Sequence, residues 1–146
     1  MIFKDGTREP LHGHNYRVKV NGHHNKLDDD MVIDFLNLKP IVRKICDEID
    51  HKLILPSECS LLEIKNNGKQ VEVTTPDSSF FSFPKSDVLI IPIKNSSVER
   101  LAEFIAKEIN LEVKKIYNFI FDTLEVEVEE SKGQSVVFRL FNDKEN

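Results

Sequence analysis

The chain has 146 residues, 40% hydrophobic and 31% charged, enough to build one ordinary core without disulfide or metal staples. Twenty basic against 25 acidic residues leave a net charge of −5, which argues against a nucleic-acid footprint, and two cysteines are too few for a disulfide framework. No membrane-length apolar run or apolar leader is visible, so the expectation is one cytoplasmic domain over residues 1–146, with neither nucleic acid nor membrane as partner.

Apolar and charged residues alternate through Arg17-Val18-Lys19-Val20, and strand character runs from about Leu11 to Val20, which predicts a half-buried strand. Positions 12, 14, 16, 18 and 20 then share a face. At about 3.3 Å per residue, His12 and His14 place their Cα atoms roughly 7 Å apart with parallel side chains. Two imidazoles so placed can converge on one metal ion, and a catalytic zinc takes three protein ligands and keeps a fourth position open. The same pair also arises where a strand simply enters solvent. Gly13 between them strips the opposite face of a side chain, so that a ligand or another backbone can come close.

A polar stretch over residues 21–30 follows, and Met31-Val32-Ile33 restarts an apolar element. Asp34 is placed to cap a helix in whose first turn Pro40 sits. Leu38, Ile41, Val42, Ile45 and Ile49 form its apolar stripe, with Cys46 on the same face, and it ends near Asp50-His51. The middle of the chain predicts β structure, with a hairpin turning at Asn66-Asn67-Gly68-Lys69 and a short buried run over residues 88–93. Ser96 and Glu99 have the spacing of a capping box, and Val98, Leu101, Ala102, Ile105 and Ile109 predict the buried face of a second helix.

Two alternating strands close the chain, one through Leu124, Val126 and Val128, the other through Val136, Phe138 and Leu140. The alternation separates four acids: Glu125, Glu127 and Glu129 share the solvated face, whereas Glu130 falls on the side of the apolar residues. The predicted class is α+β, two helices on one face of an antiparallel sheet.

Four separated pieces, His12-Gly13-His14-Asn15-Tyr16, Met31-Val32-Ile33-Asp34-Phe35, Asp50-His51-Lys52 and Ser96-Ser97-Val98-Glu99-Arg100-Leu101-Ala102, together resemble the 6-pyruvoyltetrahydropterin synthase family. The resemblance runs from about Lys4 to Phe138 and is least diagnostic over residues 60–92. It implies a tunnelling fold, a four-stranded antiparallel sheet backed by two helices. Three subunits then close a barrel, and two such trimers stack into a homohexamer. It also implies a zinc-dependent lyase acting on 7,8-dihydroneopterin or its triphosphate, in tetrahydrobiopterin or folate biosynthesis.

By motif, His12 and His14 would be zinc ligands, and Asp50 and His51 the acidic partner and proton-transfer histidine. Glu130 would anchor the pterin ring, with Ser97, Val98 and Glu99 beside the pterin pocket. A carboxylate suits that anchoring task because the 2-aminopyrimidinone edge presents two adjacent N–H donors.

Two departures stand out. The family's third zinc histidine lies on a first strand upstream of the His-x-His motif, yet no histidine occurs among the eleven residues before His12. The chain is then either a truncated product or carries an incomplete metal site, with His23 and His24 as distant substitutes. The stretch Thr7-Arg8-Glu9-Pro10-Leu11-His12 also lacks the usual cysteine. In this it is similar to the type III branch, where a glutamate takes that place and 7,8-dihydroneopterin is converted to 6-hydroxymethyl-7,8-dihydropterin, sometimes alongside the usual elimination of triphosphate. Glu9 is therefore the candidate base, alongside His51, although it also suits an ordinary loop before a proline. Arg8, Arg17 and Lys19 are candidates to receive phosphates. A non-catalytic pterin-binding or structural subunit with an incomplete metal site is the alternative.

Overall fold

The computed structural model describes residues 1–142. In chain order the elements are β1 (Arg17–His23), α1 (Phe35–Ile49), β2 (Leu53–Pro56), β3 (Glu63–Asn66), β4 (Gln70–Thr74), β5 (Phe80–Pro84), β6 (Val88–Ile91), α2 (Val98–Tyr117), β7 (Thr123–Ser131) and β8 (Gln134–Phe141). β1, β7 and β8 form an antiparallel sheet with β7 in the centre. Among the described residues this sheet has three strands, one fewer than the resemblance implies.

The terminal alternation builds that sheet as expected. Leu124, Val126 and Val128 are fully buried, and each pairs with an apolar residue of β8, Leu140, Phe138 and Val136 respectively. On the other face Glu129 and Glu127 stand opposite Arg17 and Lys19 of β1, cross-strand pairs of opposite charge that face water.

β1 begins at Arg17, six residues later than the alternation predicts. The last rung of its ladder is Arg17 with Glu129, because β7 turns into β8 just beyond, so residues 11–16 have no strand to pair with. They form no ladder, and His12 and His14 sit on this approach segment rather than on the strand.

α1 starts where Asp34 accepts a hydrogen bond from the Leu36 amide at 2.8 Å. Pro40 lies in its second turn rather than its first, and its missing N–H removes one helical bond to the Leu36 carbonyl. α2 is capped by Ser97, whose hydroxyl makes no capping bond, so the Ser96–Glu99 box does not form. The Ser96 amide is instead taken by Asn95 Oδ1 at 3.0 Å. At the other end Asn118 adopts the left-handed conformation, and its N–H bonds the Lys114 carbonyl.

α2 lays Leu101, Ala102, Ile105, Ala106, Ile109 and Val113 on the sheet, and Leu38, Ile41 and Ile45 of α1 join the same cluster. Phe121, fully buried, presses its ring against Gly22 of β1, the one residue there that leaves it room. The predicted hairpin forms as β3–β4, with Asn66 Oδ1 accepting from the Gly68 amide at 3.0 Å. β5 extends it, and β2 pairs parallel with β6. Leu55, Val71 and Val73 make a second, smaller core beneath these strands.

Candidate active site

A cavity of about 1160 Å³ opens between the approach segment to β1, the C-terminal end of α1 and the β4–β5 hairpin. Glu9, His12, His14, Asp50, His51 and Glu130 all line it, although they come from three distant stretches of chain. Ser97, Val98 and Glu99 do not; the cavity takes Ser96 and Leu101 from that turn instead.

Glu130 sits in a bulge. Glu129 pairs with Ser135 and Ser131 with Gln134, leaving Glu130 as the extra residue of β7. Bulges bend a strand and redirect a side chain. Here the carboxylate reaches His14, with Oε1 2.9 Å from Nε2. The ring of His12 stands edge-on to that of His14, centroids 4.7 Å apart, and the Tyr16 ring follows at 5.6 Å. The three side chains thus remain on one side even without a ladder. His12 Nδ1–H donates to the Pro10 carbonyl at 2.7 Å, which leaves Nε2 as the nitrogen with a lone pair in the neutral ring. A side chain at Gly13 would meet nothing within 4 Å, so space above the pair is open.

These two imidazoles fit two positions of a zinc ligand set in donor type and spacing. Among the described residues no group of three His, Cys, Asp or Glu is arranged to hold a metal ion. His23 and His24 do not complete one. They lie at the opposite end of β1, 3.5 Å from Glu125 and Asp122 respectively.

Asp50 terminates α1, its N–H bonding the Cys46 carbonyl at 2.9 Å. His51 follows with φ of 55°, a left-handed conformation that helix ends usually reserve for glycine. A β-carbon there costs about 1–2 kcal/mol, so this histidine is held at a strained position. Its Nδ1 lies 2.8 Å from Asp50 Oδ2, which orients the ring and leaves Nε2 facing outward. Cys46, half-buried on α1, also lines the cavity, and burial, then Asp47 and Asp50, push its thiol up.

Glu9 is carried by a short N-terminal hairpin in which Ile2 bridges Arg8 and the Glu9 amide bonds the Met1 carbonyl at 3.1 Å. Asn95 ties this hairpin down, accepting from the Ile2 amide and donating to its carbonyl. Tyr16 is a site residue to which the motif reading assigned no role, although it shares the parity of His12 and His14. Burial first, then the charges of Glu130 and Glu9, push its phenol up, which keeps it a hydrogen-bond donor at neutral pH.

A family model described as 6-pyruvoyl tetrahydropterin synthase matches residues 1–140. The chain belongs to this family. A candidate 6-carboxy-5,6,7,8-tetrahydropterin synthase of Methanocaldococcus jannaschii is 32% identical over 142 residues, 97% of this chain and 86% of the relative.

Among solved structures, the 6-pyruvoyl tetrahydropterin synthase of Plasmodium vivax superposes with a TM-score of 0.88 at 37% identity, covering 97% of this chain and 88% of its own. That of Plasmodium falciparum gives 0.87 at 34% identity over the same shares. Two further structures of the Plasmodium vivax protein replace a catalytic glutamate, by alanine in one and by cysteine in the other. Family membership makes this chain similar throughout its length to pterin synthases, two helices and antiparallel sheets included. No helix among the described residues is long and apolar enough to cross a membrane.

Proposed function

We propose that this member of the 6-pyruvoyl tetrahydropterin synthase family is a zinc-dependent lyase acting on 7,8-dihydroneopterin or its triphosphate, with the glutamate-based chemistry of the type III branch. One observation supports this most: the inward acid near the end of β7 and the paired imidazoles meet in one cavity, 2.9 Å apart at Glu130 and His14.

In this reading Glu130 accepts both N–H donors of the pterin's 2-aminopyrimidinone edge and so fixes the ring. Tyr16 offers a phenol that remains protonated beside it. Glu9 takes a proton from the substrate side chain, and His51, oriented by Asp50, returns one. The catalytic glutamate named for the Plasmodium vivax protein supports giving this task to Glu9. His12 and His14 would hold a zinc ion, which would supply Lewis acidity toward the side-chain oxygens. Ser97, Val98 and Glu99 lie outside this chain's own cavity, so they contact a pterin only across subunits, in a trimer or hexamer built on a tunnelling barrel. The compartment is the cytoplasm.

A pterin-binding subunit without turnover is the second reading, favoured by the lack of a third ligand beside His12 and His14 among the described residues. The purified protein, incubated with 7,8-dihydroneopterin and separately with its triphosphate, is expected to yield 6-hydroxymethyl-7,8-dihydropterin from at least one. It is expected to carry one zinc per subunit, lost in His12→Ala and His14→Ala. Glu9→Gln should lower kcat by about a hundredfold or more. No product from either substrate, with substoichiometric zinc, would establish the binding subunit instead. A 6-carboxy product would assign instead the reaction for which the Methanocaldococcus jannaschii relative is named.

A further inference from the structure

We propose that Arg8 is a positioning residue for Glu9: its guanidinium, locked into a cradle on the β4–β5 hairpin, holds the Glu9 backbone over the cavity. The inference rests on reading Glu9 as the base. Arg8 Nε donates to Asp77 Oδ2 and Nη2 to Ser79 Oγ, each at 3.1 Å, while Nη1 donates to the Glu9 carbonyl at 3.3 Å. The guanidinium carbon lies 5.1 Å from the Phe81 ring centroid. Every nitrogen of the fork is therefore committed, and only one of those bonds is to the segment that Arg8 itself belongs to.

The cradle is built independently of Arg8. Ser79 returns a carbonyl to the Thr75 amide at 3.0 Å, and Asp77 Oδ1 accepts from the Ser79 amide at 3.1 Å and from the Thr75 hydroxyl. Those bonds, the Thr75 hydroxyl first, hold the Asp77 carboxyl well below the usual carboxylate range, so it meets Arg8 as a full anion. Thr75 is 8% exposed and follows β4, whose Val71 and Val73 are core.

Glu9 is consequently tethered at both ends of its backbone, its N–H to Met1 and its carbonyl to Arg8, and Pro10 restricts the next φ. Residues 9–16 otherwise have no regular structure to place a base. Lysine could match the charge of Asp77 but not the three-way fork. The same commitments use three of the five N–H donors of Arg8, which makes it a poorer candidate for a phosphate receptor. Arg17 and Lys19, largely exposed, remain.

The test measures kcat and KM for the substrate turned over, together with amide exchange of residues 7–11, in Arg8→Ala, Arg8→Lys and Ser79→Ala, each alone and with Glu9→Gln. Arg8→Ala is expected to lower kcat about tenfold to a hundredfold with KM nearly unchanged, and to speed exchange at residues 7–11 but not in β7. Ethylguanidinium should partly restore turnover. In the Arg8→Ala background, Glu9→Gln should cost no more than about threefold further, because the base is already misplaced.

Should Arg8→Ala fail to fold, Arg8→Lys and Ser79→Ala carry the same comparison with smaller losses. Unchanged exchange at residues 7–11, or a Glu9→Gln penalty that persists in full beside Arg8→Ala, overturns the positioning role alone. A Glu9→Gln enzyme with undiminished kcat overturns the base assignment and this inference with it.

Discussion

Glu130→Ala is expected to lower kcat/KM by about a hundredfold to ten-thousandfold, most of it through KM. Two hydrogen bonds to a carboxylate disappear together, each contributing about 1.5–3 kcal/mol, and every 1.36 kcal/mol is about tenfold. The bulge makes this residue separable from its neighbours. Glu129, one position earlier, points to the opposite face and pairs with Arg17 at 3.5 Å. Glu129→Ala should therefore leave kcat/KM within about twofold, the usual scale of an exposed ion pair. Glu130→Gln, which keeps the shape but can accept from only one donor, should fall between the two. Both substitutions lie at a partly exposed strand end, so thermal unfolding should barely move. Steady-state kinetics with the three variants checks the assignment, and a Glu130→Ala enzyme within about threefold of the parent would refute the anchoring role.

The second large effect is on stability. A β-carbon built at Gly22 stands 2.3 Å and 2.6 Å from two carbons of the Phe121 ring, distances no real pair of atoms tolerates. Phe121 has no room to yield, being fully buried and edge-on to Phe119 at a centroid distance of 5.0 Å. Gly22→Ala should accordingly cost about 3 kcal/mol, the upper end of the usual overpacking range, and lower Tm by roughly 10 °C. Gly13→Ala is the control, since a methyl group there meets nothing within 4 Å, and its Tm should match the parent. Adding Phe121→Leu to Gly22→Ala should recover about 1 kcal/mol or more relative to the sum of the single changes, the signature of two residues sharing one space. Differential scanning calorimetry on the four variants decides it. If Gly22→Ala melts within about 2 °C of the parent, strand and ring are not packed as described.

What could be read from the sequence was governed by short-range regularity. The apolar stripes of α1 and α2 and the alternation of β7 and β8 are imposed by one buried face per element, so their residues announce themselves. Parity likewise singled out Glu130 among four acids and put His12, His14 and Tyr16 on one side. β1 was misplaced at its start because alternation records which side faces the core, not whether a partner strand exists, and the β1–β7 ladder ends at Glu129, just before the bulge. β2 and β5 were missed because four or five residues of Leu53–Pro56 and Phe80–Pro84 carry no period long enough to distinguish strand from loop.

The left-handed turn at His51 and the exclusion of Ser97, Val98 and Glu99 from the cavity have no local signal at all. The cradle of Arg8 joins residues 69 apart in sequence, a distance at which single-chain pattern is silent. Pro40 shows a different limit: its ring is tolerated anywhere in the opening turns of a helix that has enough tertiary support, here Leu38, Ile41 and Ile45.

The two cores are unequal, and Glu9, the proposed base, stands on the lesser one. The large cluster binds both helices to the central sheet, whereas the hairpin on which Arg8 leans is anchored by a cluster with only three buried residues, Leu55, Val71 and Val73, and partly buried neighbours such as Phe81 and Phe83. Regions with less buried apolar surface open at lower free energy. On warming, the enzyme should fall silent before its helical circular dichroism fades, because the wall that aims its chemistry loosens while the body behind it is still intact.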